Sequence, residues 1–486
     1  MKLKELLHAI PVKEIRGQLD VEVALLCFDS RKVVANSLFI AIQGTQVDGH
    51  QFLPKAIEMG ASVIMVQELP VVFKDEVTYV LVDDTSYSLG ILAANFFGNP
   101  SKELKLVGVT GTNGKTTVAT LLFNLFENLG YHVGLLSTVE NKIGDRIIPA
   151  THTTPDPIAL NALLREMVAD GCDYCFMEVS SHAVIQQRIA GLRFAGGIFT
   201  NITHDHLDFH GTFSHYIKAK KKFFDDLDRY AFALTNIDDK NGAVMLQNTF
   251  GHKKTYGMQN MAEFKAKIIE SHFDGMLLQI DGQELWVKLV GHFNAYNLLA
   301  VYGTAILLEQ ETVKVLTALS EIQGAAGRFE PIRSSNGLVG IVDYAHTPDA
   351  VKNVLETIRD LRKPSQQIIT VLGCGGDRDK TKRPEMAAVA VKMSDKVIIT
   401  SDNPRTEDPY QIIRDMELGV AANKKKNVFS IADRKEAIKA ACHLAQEGDI
   451  ILVAGKGHEN YQEINGVKHH FDDKEVLIEI FKEQQQ

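Results

Sequence analysis

Short apolar runs alternate with helix-length amphipathic stretches along almost the whole chain. In the first hundred residues the runs are Ser37–Ile42, Ala61–Val66 and Thr78–Val82. A second group begins with Leu106–Val109, followed by a helical pattern over Val118–Leu129, and continues through Tyr174–Val179 and Gly197–Thr200. The theme returns at Gly340–Asp343, Ile368–Leu372, Lys396–Thr400 and Ile450–Ala454. Runs that are apolar throughout, rather than at every second position, predict strands buried on both faces. Strands separated by helices predict parallel sheets with helices on both sides. The segment Phe97-Gly98-Asn99-Pro100 reads as a turn and a boundary. We therefore expect an α/β protein of three domains: a smaller N-terminal α/β domain over 1–98, a central domain with a mostly parallel sheet over 99–329, and a Rossmann-like domain over 330–486. At about 150 residues per domain the length agrees.

Composition adds limits rather than direction. Hydrophobic residues make up 45% and charged residues 23%, enough for each domain to build its own core. A formal net charge of -9 argues against a general nucleic-acid binder, so anionic substrates would need local cations to hold them. Five scattered cysteines imply no disulfide framework. Cys172 and Cys175 form a CxxC without a second pair, and the apolar run that follows favours a buried strand over a redox or zinc site. The N-terminal Met1–Ile15 stretch is amphipathic and lacks the apolar core of a signal peptide. No apolar run reaches membrane-spanning length. A cytoplasmic protein without membrane insertion is expected.

The strongest chemical signal is Gly111-Thr112-Asn113-Gly114-Lys115-Thr116-Thr117, set between a predicted strand and a predicted helix. Glycines let backbone N–H groups approach phosphate oxygens, and the helix N-terminus adds positive potential. Lys115 can reach β- and γ-phosphates, and the Thr116 hydroxyl can ligate Mg²⁺. Val109 stands where the first glycine of the longer phosphate-loop spacing belongs, so this is a shortened relative, a P-loop-type centre for the middle domain. Glu178 ends an apolar strand, where ligand sites of α/β sheets collect. His204, His206 and His210 follow. Their spacing is not that of a zinc finger, which leaves a magnesium–phosphate site using one histidine, structural zinc and local hydrogen bonding as readings.

Six ordered motifs make the sequence similar to the Mur ligase family, the ATP-dependent amide-forming enzymes of peptidoglycan precursor synthesis. They are Gly111–Thr117, Glu178–His182, Asp205–Asp208, Gly291–Asn297, Gly327–Glu330 and Asp343–His346. The resemblance implies that Thr116 and Glu178 hold one Mg²⁺, and that His206 and a carbamoylated Lys220 (N6-carboxylysine) help hold a second. Carbamoylation would turn a cation into an oxygen ligand. Lys218, Lys221 and Lys222 read instead as a solvated basic helix face. Asn294, Asn297, Asp343 and His346 would contact ATP, and Arg328 would steady the transferring phosphoryl group.

Within the family, Asp29-Ser30-Arg31 and Gly44–His50 resemble a UDP-binding domain, with Ser30 at the diphosphate. Thr153, Thr154, Ser180, Gln186 and Arg188 resemble contacts to a UDP-muramoyl dipeptide. In the last domain, Gly373–Arg378, Asp402-Asn403-Pro404-Arg405 and Gly455–Glu459 match the diaminopimelate-adding type. There Arg378, Asp402, Asn403, Pro404, Arg405, Gly455 and Glu459 would bind meso-2,6-diaminopimelate, which carries one carboxylate more than lysine. Arg405 can bind that carboxylate bidentately, whereas its other reading is a surface salt bridge. The implied reaction activates the D-glutamyl carboxylate of UDP-MurNAc-L-Ala-D-Glu as an acyl phosphate, which the amine then attacks. The chain is expected to work as a monomer on small molecules, its C-terminal domain closing on ATP. Folylpolyglutamate synthetase, or a catalytically idle nucleotide-binding regulator, are the competing readings.

Overall fold

The computed structural model describes residues 1–44, 47–150, 152–203 and 207–483, the side chains of Leu207 and Asp208 excepted. Three large sheets follow one another along the chain. The first holds five strands in the spatial order Val12–Arg16, Thr78–Val82, Ala61–Val66, Ser37–Ile40, Leu25–Cys27. Only the pairing of Val12–Arg16 with Thr78–Val82 is antiparallel.

The second sheet has eleven strands. Its centre is parallel: Val133–Leu136, Tyr174–Glu178, Lys105–Thr110, Gly196–Phe199, Phe232–Asn236 and His252–Gly257 lie side by side. After Lys105–Thr110 the chain builds four strands on one side, two of them parallel, and then crosses to the other. The carboxyl ends of these strands therefore open at a reversal of strand order, where α/β sheets bind ligands. The parallel core is as expected, but both edges are antiparallel. A hairpin of Glu140–Ile143 and Arg146–Pro149 extends one edge, and Phe264–His272, Gly275–Ile280 and Gln283–Val287 extend the other. These edge strands mix buried and exposed positions, so they carry no continuous apolar run to find in the sequence.

The third sheet runs Glu330–Arg333, Val339–Asp343, Ile450–Ala454, Ile368–Cys374, Lys396–Ser401, Val428–Ser430, parallel except at its first pair. The strands Ile368–Cys374 and Ile450–Ala454 are buried at every position. Helices on each face carry separate cores. One gathers Val351, Leu355, Met386 and Ile412, the other Ile438, Leu477 and Phe481.

Local detail refines the expected elements. The helix anticipated from Val118 begins at Lys115, directly after the glycine loop. The strand anticipated to Ile42 stops at Ile40. Cys175 lies in a buried strand and Cys172 in the turn before it, both as free thiols. Burial pushes the Cys172 thiol up to about 12, which suits core packing rather than reactivity. Among the described residues no helix is long and apolar enough to cross a membrane.

Candidate active site

Between the second and third sheets lies a cleft of about 590 Å³, within the usual range for a small-molecule site. Asn113, Gly114, Thr117 and Asn297 line it from the central side, and Arg328, Asp343 and His346 line it from the other. Seven residues predicted from separate motifs thus meet in one cavity.

The glycine loop is shaped for this. Gly114 is left-handed (φ 87°) and caps the helix Lys115–Asn128. A Cβ there would meet Asn297 Oδ1 at 2.6 Å, so only glycine allows the loop to lie against the helix His292–Leu307. Asn294 supports that contact: its Oδ1 accepts from Asn297 Nδ2 (3.1 Å), and its own Nδ2 donates to the Val290 carbonyl (2.8 Å). Thr112 is buried, and its hydroxyl meets the Tyr216 hydroxyl at 3.1 Å. Lys115 Nζ donates to the carbonyls of Gly111 and Thr112, each at 2.9 Å. The ammonium thus sits over the loop where phosphate oxygens would lie.

Glu178 is fully buried at the end of its strand. Its Oε1 accepts from the Thr116 hydroxyl (2.8 Å) and the Thr138 N–H (2.7 Å). Its Oε2 is buried without a hydrogen-bond partner among the described residues. A buried carboxylate oxygen left unsatisfied is costly, and a hard cation held with the Thr116 hydroxyl would satisfy it. Arg328 completes the group from across the cleft, its Nη2 donating to Thr116 Oγ1 at 3.3 Å. Its guanidinium lies 4.5 Å from the centre of the Tyr344 ring, an aromatic support that motif reading overlooked.

The four neighbouring lysines are separated by helical period. In the helix Phe213–Asp225, Tyr216, Ala219, Lys220, Phe223 and Phe224 form the buried face, at spacings of three and four. Lys220 is therefore drawn inward, and its Nζ donates to the Gly111 carbonyl at 2.8 Å. Lys221 and Lys222 pair with Asp225 and Asp226 one turn on, and Lys218 is exposed. Lys220 Nζ also lies 4.7 Å from the centre of the Tyr216 ring. His206, with His204 and Asp205, lies outside the described residues. His210 is buried, with Nε2 at 2.9 Å from the Ser181 hydroxyl. Among the described residues no three His, Cys, Asp or Glu side chains gather to hold a metal ion.

On the far side of the cleft, Asp343 accepts the N–H groups of Phe329 and Ala345, both at 2.7 Å. Burial raises its carboxyl, and Arg328 opposes that shift. His346 Nδ1 lies 2.9 Å from the Tyr344 carbonyl, which can only accept and so sets the proton on Nδ1. Asn201 and Asp349 were not anticipated. Asn201 Oδ1 accepts the Asn113 N–H (3.0 Å), and Asp349 Oδ2 accepts from Asn113 Nδ2 (3.2 Å) across the cleft. Asn201 could have been suspected, because it directly follows an apolar strand.

A second cluster gathers beside Glu178. The Thr154 hydroxyl donates to the Glu178 carbonyl (2.8 Å) and accepts the Ser180 N–H (3.2 Å). Arg188 Nη1 donates to the Thr154 carbonyl (2.6 Å), and its other nitrogens hold Gln186 Oε1. Ser180 caps the helix Ser181–Ile185, and the Thr138 hydroxyl donates to that of Thr153 (3.0 Å). Ser30 is buried in the N-terminal unit, in a short turn capped by Asp29. Of the Gly44–His50 stretch, Thr45 and Gln46 lie outside the described residues, and Asp48 Oδ1 holds His50 Nδ1 at 2.7 Å.

The third cluster stands at the carboxyl ends of the last sheet. Asp402 and Asn403 are buried after Lys396–Ser401. Asn403 Nδ2 donates to Glu459 Oε2 (2.7 Å), and Lys456 Nζ reaches the same oxygen (3.2 Å). Burial, then the neighbouring Asp402 charge, raises the Glu459 carboxyl, as expected of an acid pair that would welcome an ammonium. A Cβ on Gly455 would meet Asp402 Oδ2 at 2.5 Å, so that glycine makes room for the carboxylate. Arg405, after Pro404, sits at φ 52° with its guanidinium partly exposed. Its Nη1 donates to the Gly376 carbonyl (2.7 Å), and Nε lies 3.6 Å from Glu463. Arg378 is exposed on the neighbouring loop.

Comparison with known proteins agrees with this architecture. Residues 22–97 match the Mur ligase family, catalytic domain; 109–305 match the Mur ligase middle domain; 327–457 match the Mur ligase, glutamate ligase domain. The UDP-N-acetylmuramoyl-L-alanyl-D-glutamate--2,6-diaminopimelate ligase of Bacteroides fragilis is 58% identical over 481 residues, 99% of each chain. A solved structure of an enzyme with that same name covers 100% of this chain and 99% of its own, with TM-score 0.70 at 32% identity. Mycobacterium tuberculosis folylpolyglutamate synthase shares the fold over 76% of this chain and 92% of its own, with TM-score 0.62 at 16% identity.

Proposed function

The chain belongs to the Mur ligase family, and from that premise we infer that it joins 2,6-diaminopimelate to UDP-N-acetylmuramoyl-L-alanyl-D-glutamate in an ATP-dependent reaction of peptidoglycan synthesis. The observation that carries this reading is a relative of that activity, 58% identical across 99% of both chains. The residue roles below are our assignment, supported by the geometry for the described residues.

Asn113, Gly114, Thr117, Asn297, Asp343 and His346 bind ATP in the cleft between the central and C-terminal domains, taken as 99–329 and 330–486. Gly111, Thr112 and Asn294 shape the loop and its support. Lys115 and Arg328 offset the charge that accumulates when the D-glutamyl carboxylate attacks the γ-phosphorus and an acyl phosphate forms. Thr116, Glu178, His206 and a carbamoylated Lys220 would hold Mg²⁺, which when bound neutralises phosphate charge. The unsatisfied Glu178 Oε2 supports that placement.

Ser30, in the N-terminal domain 1–98, contacts the uridine diphosphate. Thr153, Thr154, Ser180, Gln186 and Arg188 hold the muramoyl dipeptide beside Glu178, which brings its carboxylate towards the γ-phosphate. Glu459, with Asp402 and Asn403, takes one ammonium of meso-diaminopimelate. Arg378 and Arg405 take the distal carboxylate, and Pro404 and Gly455 shape the loops between them. The other amine then attacks the acyl phosphate and phosphate leaves. One chain supplies every group named, and we take the enzyme to act as a cytoplasmic monomer.

Arg405 sets the choice of amino acid. A site built around a polar group rejects an analogue lacking it by as much as about 10⁴–10⁵-fold. Rates of diaminopimelate and lysine ligation by the wild type and Arg405→Ala test this. The variant should lose most of its preference for diaminopimelate, and an unchanged preference would refute the assignment.

A further inference from the structure

The two loops assigned to the distal carboxylate are laced together by charged side chains, of which Arg383, Glu407 and Asp415 belong to no motif. Arg383 opens the helix Lys382–Met393, yet its side chain is fully buried. Its Nη1 donates to Glu407 Oε2 (3.0 Å) and Asp415 Oδ2 (2.8 Å), and its Nη2 donates to Glu407 Oε1 (2.8 Å). Nη2 also lies 3.4 Å from the Gly375 carbonyl. Glu407 Oε1 in turn accepts the Asp377 N–H at 2.6 Å. The Asp377 carboxylate reaches back to the other loop, accepting from the Thr406 hydroxyl (2.7 Å) and the Thr406 N–H (3.2 Å). Backbone pairing closes the lattice, with Gly376 N–H donating to the Asn403 carbonyl at 2.9 Å.

Each loop holds one residue in an uncommon backbone conformation. Asp377 (φ 54°) and Arg405 (φ 52°) are left-handed without being glycine, a state that costs Arg405 more than Asp377 and that the surrounding contacts hold in place. Gly376 packs so close that a Cβ would meet the Pro404 carbonyl at 1.9 Å. Its own carbonyl accepts from Arg405 Nη1. The residue that aims Arg405 therefore belongs to the loop that carries Arg378. The relative position of the two loops decides where the two guanidinium groups can converge.

We propose that Arg383 and Glu407 are positioning residues for amino-acid selection, a buried clamp that fixes the loop carrying Arg378 against the loop carrying Arg405 so that both reach the distal carboxylate of one diaminopimelate. The proposal rests on the assignment of those two arginines to that carboxylate. The Arg383 contact is itself bidentate, so its strength depends on the planar fork and not on charge alone. Arg383 holds Asp415 of the helix Pro409–Glu417 as well, so a purely architectural role is the rival explanation. The two differ in which kinetic constant they move.

The experiment measures kcat, and KM for each of the three substrates, in the wild type, Glu407→Gln, Arg383→Lys and the surface variant Thr406→Val, together with melting temperature. Glu407→Gln should raise KM for diaminopimelate by about tenfold or more, with KM for ATP and for the UDP-muramoyl dipeptide within about twofold of wild type. Its preference for diaminopimelate over lysine should fall in step. Arg383→Lys should show the same pattern. Thr406→Val, whose side chain is exposed, should show a weaker form of it without a fall in melting temperature. An unchanged diaminopimelate KM in Thr406→Val and Glu407→Gln would overturn the proposal, as would a parallel rise in all three KM values. A wild type that ligates no diaminopimelate would instead overturn the reading on which it rests.

Discussion

Glu178 and Glu407 are both held by neighbouring side chains, but they are finished to different degrees. At Glu178 one oxygen accepts two hydrogen bonds and the other is buried with none among the described residues. At Glu407 both oxygens are taken, by Arg383, Lys380 and the Asp377 N–H. The Arg383 hydrogen bonds, with smaller help from that N–H and Lys380, hold its carboxyl down at about 2. Arg434 and Asp473 repeat the finished pattern: both are fully buried, and the guanidinium spans the carboxylate and the carbonyls of Ser401 and Ala454. The carboxylate we assign to the phosphate end is thus left for a ligand to complete, while the carboxylate beside the loops we assign to the amino acid has both oxygens satisfied, although Arg383 Nε is buried without a hydrogen-bond partner among the described residues. This suits the chemistry. A triphosphate and a cation bring strong charges of their own, whereas discrimination between two amino acids needs guanidinium groups already in place.

Substitutions at the unfinished end should have the largest effect. Glu178→Gln keeps the shape and the bond from Thr116 but removes the charge that a cation would meet. Its kcat should fall by about 10²–10³-fold, the scale of losing one electrostatic contact in a closed site. A kcat near that of the wild type would mean that the unsatisfied oxygen has no catalytic purpose. Lys220→Ala should cost less, about 10–100-fold, the range for groups that support a metal site. Added short-chain carboxylic acid should restore part of the rate by supplying the oxygen that a carbamate would provide. Full activity in the variant, or no rescue of a lost one, would contradict the carbamate.

The two ends were also unequally legible in the sequence. The glycine loop announced itself, because backbone approach to phosphate needs small residues at fixed spacing beside a strand and a helix. Glu178 was visible as a lone charge closing an apolar strand, whereas Lys220 was separated from its neighbouring lysines only by the family resemblance, through the Ala-Lys pair after Tyr216. Ten parallel strands were readable because burial on both faces leaves continuous apolar runs, but the short or half-exposed parallel strands Leu25–Cys27, Val133–Leu136, Phe232–Asn236, His252–Gly257 and Val428–Ser430 were not. The antiparallel edges at 140–149 and 264–287 were not, since their half-exposed strands break that run. Arg383 was equally hidden. A charged residue at the start of a helix reads as solvent-facing, and only the fold brings Glu407 and Asp415 to its side. Tyr344 beneath Arg328 likewise depends on contacts made in three dimensions.

The central claim is that the cleft couples ATP cleavage to the joining of two particular acceptors. The direct measurement is steady-state ADP release by the purified protein, with the UDP-muramoyl dipeptide and diaminopimelate supplied separately and together. Sustained release should require both, with phosphate and the tripeptide product formed in equal amount. Sustained release without either acceptor, release supported instead by a folate and glutamate, or no release with both present would contradict the account.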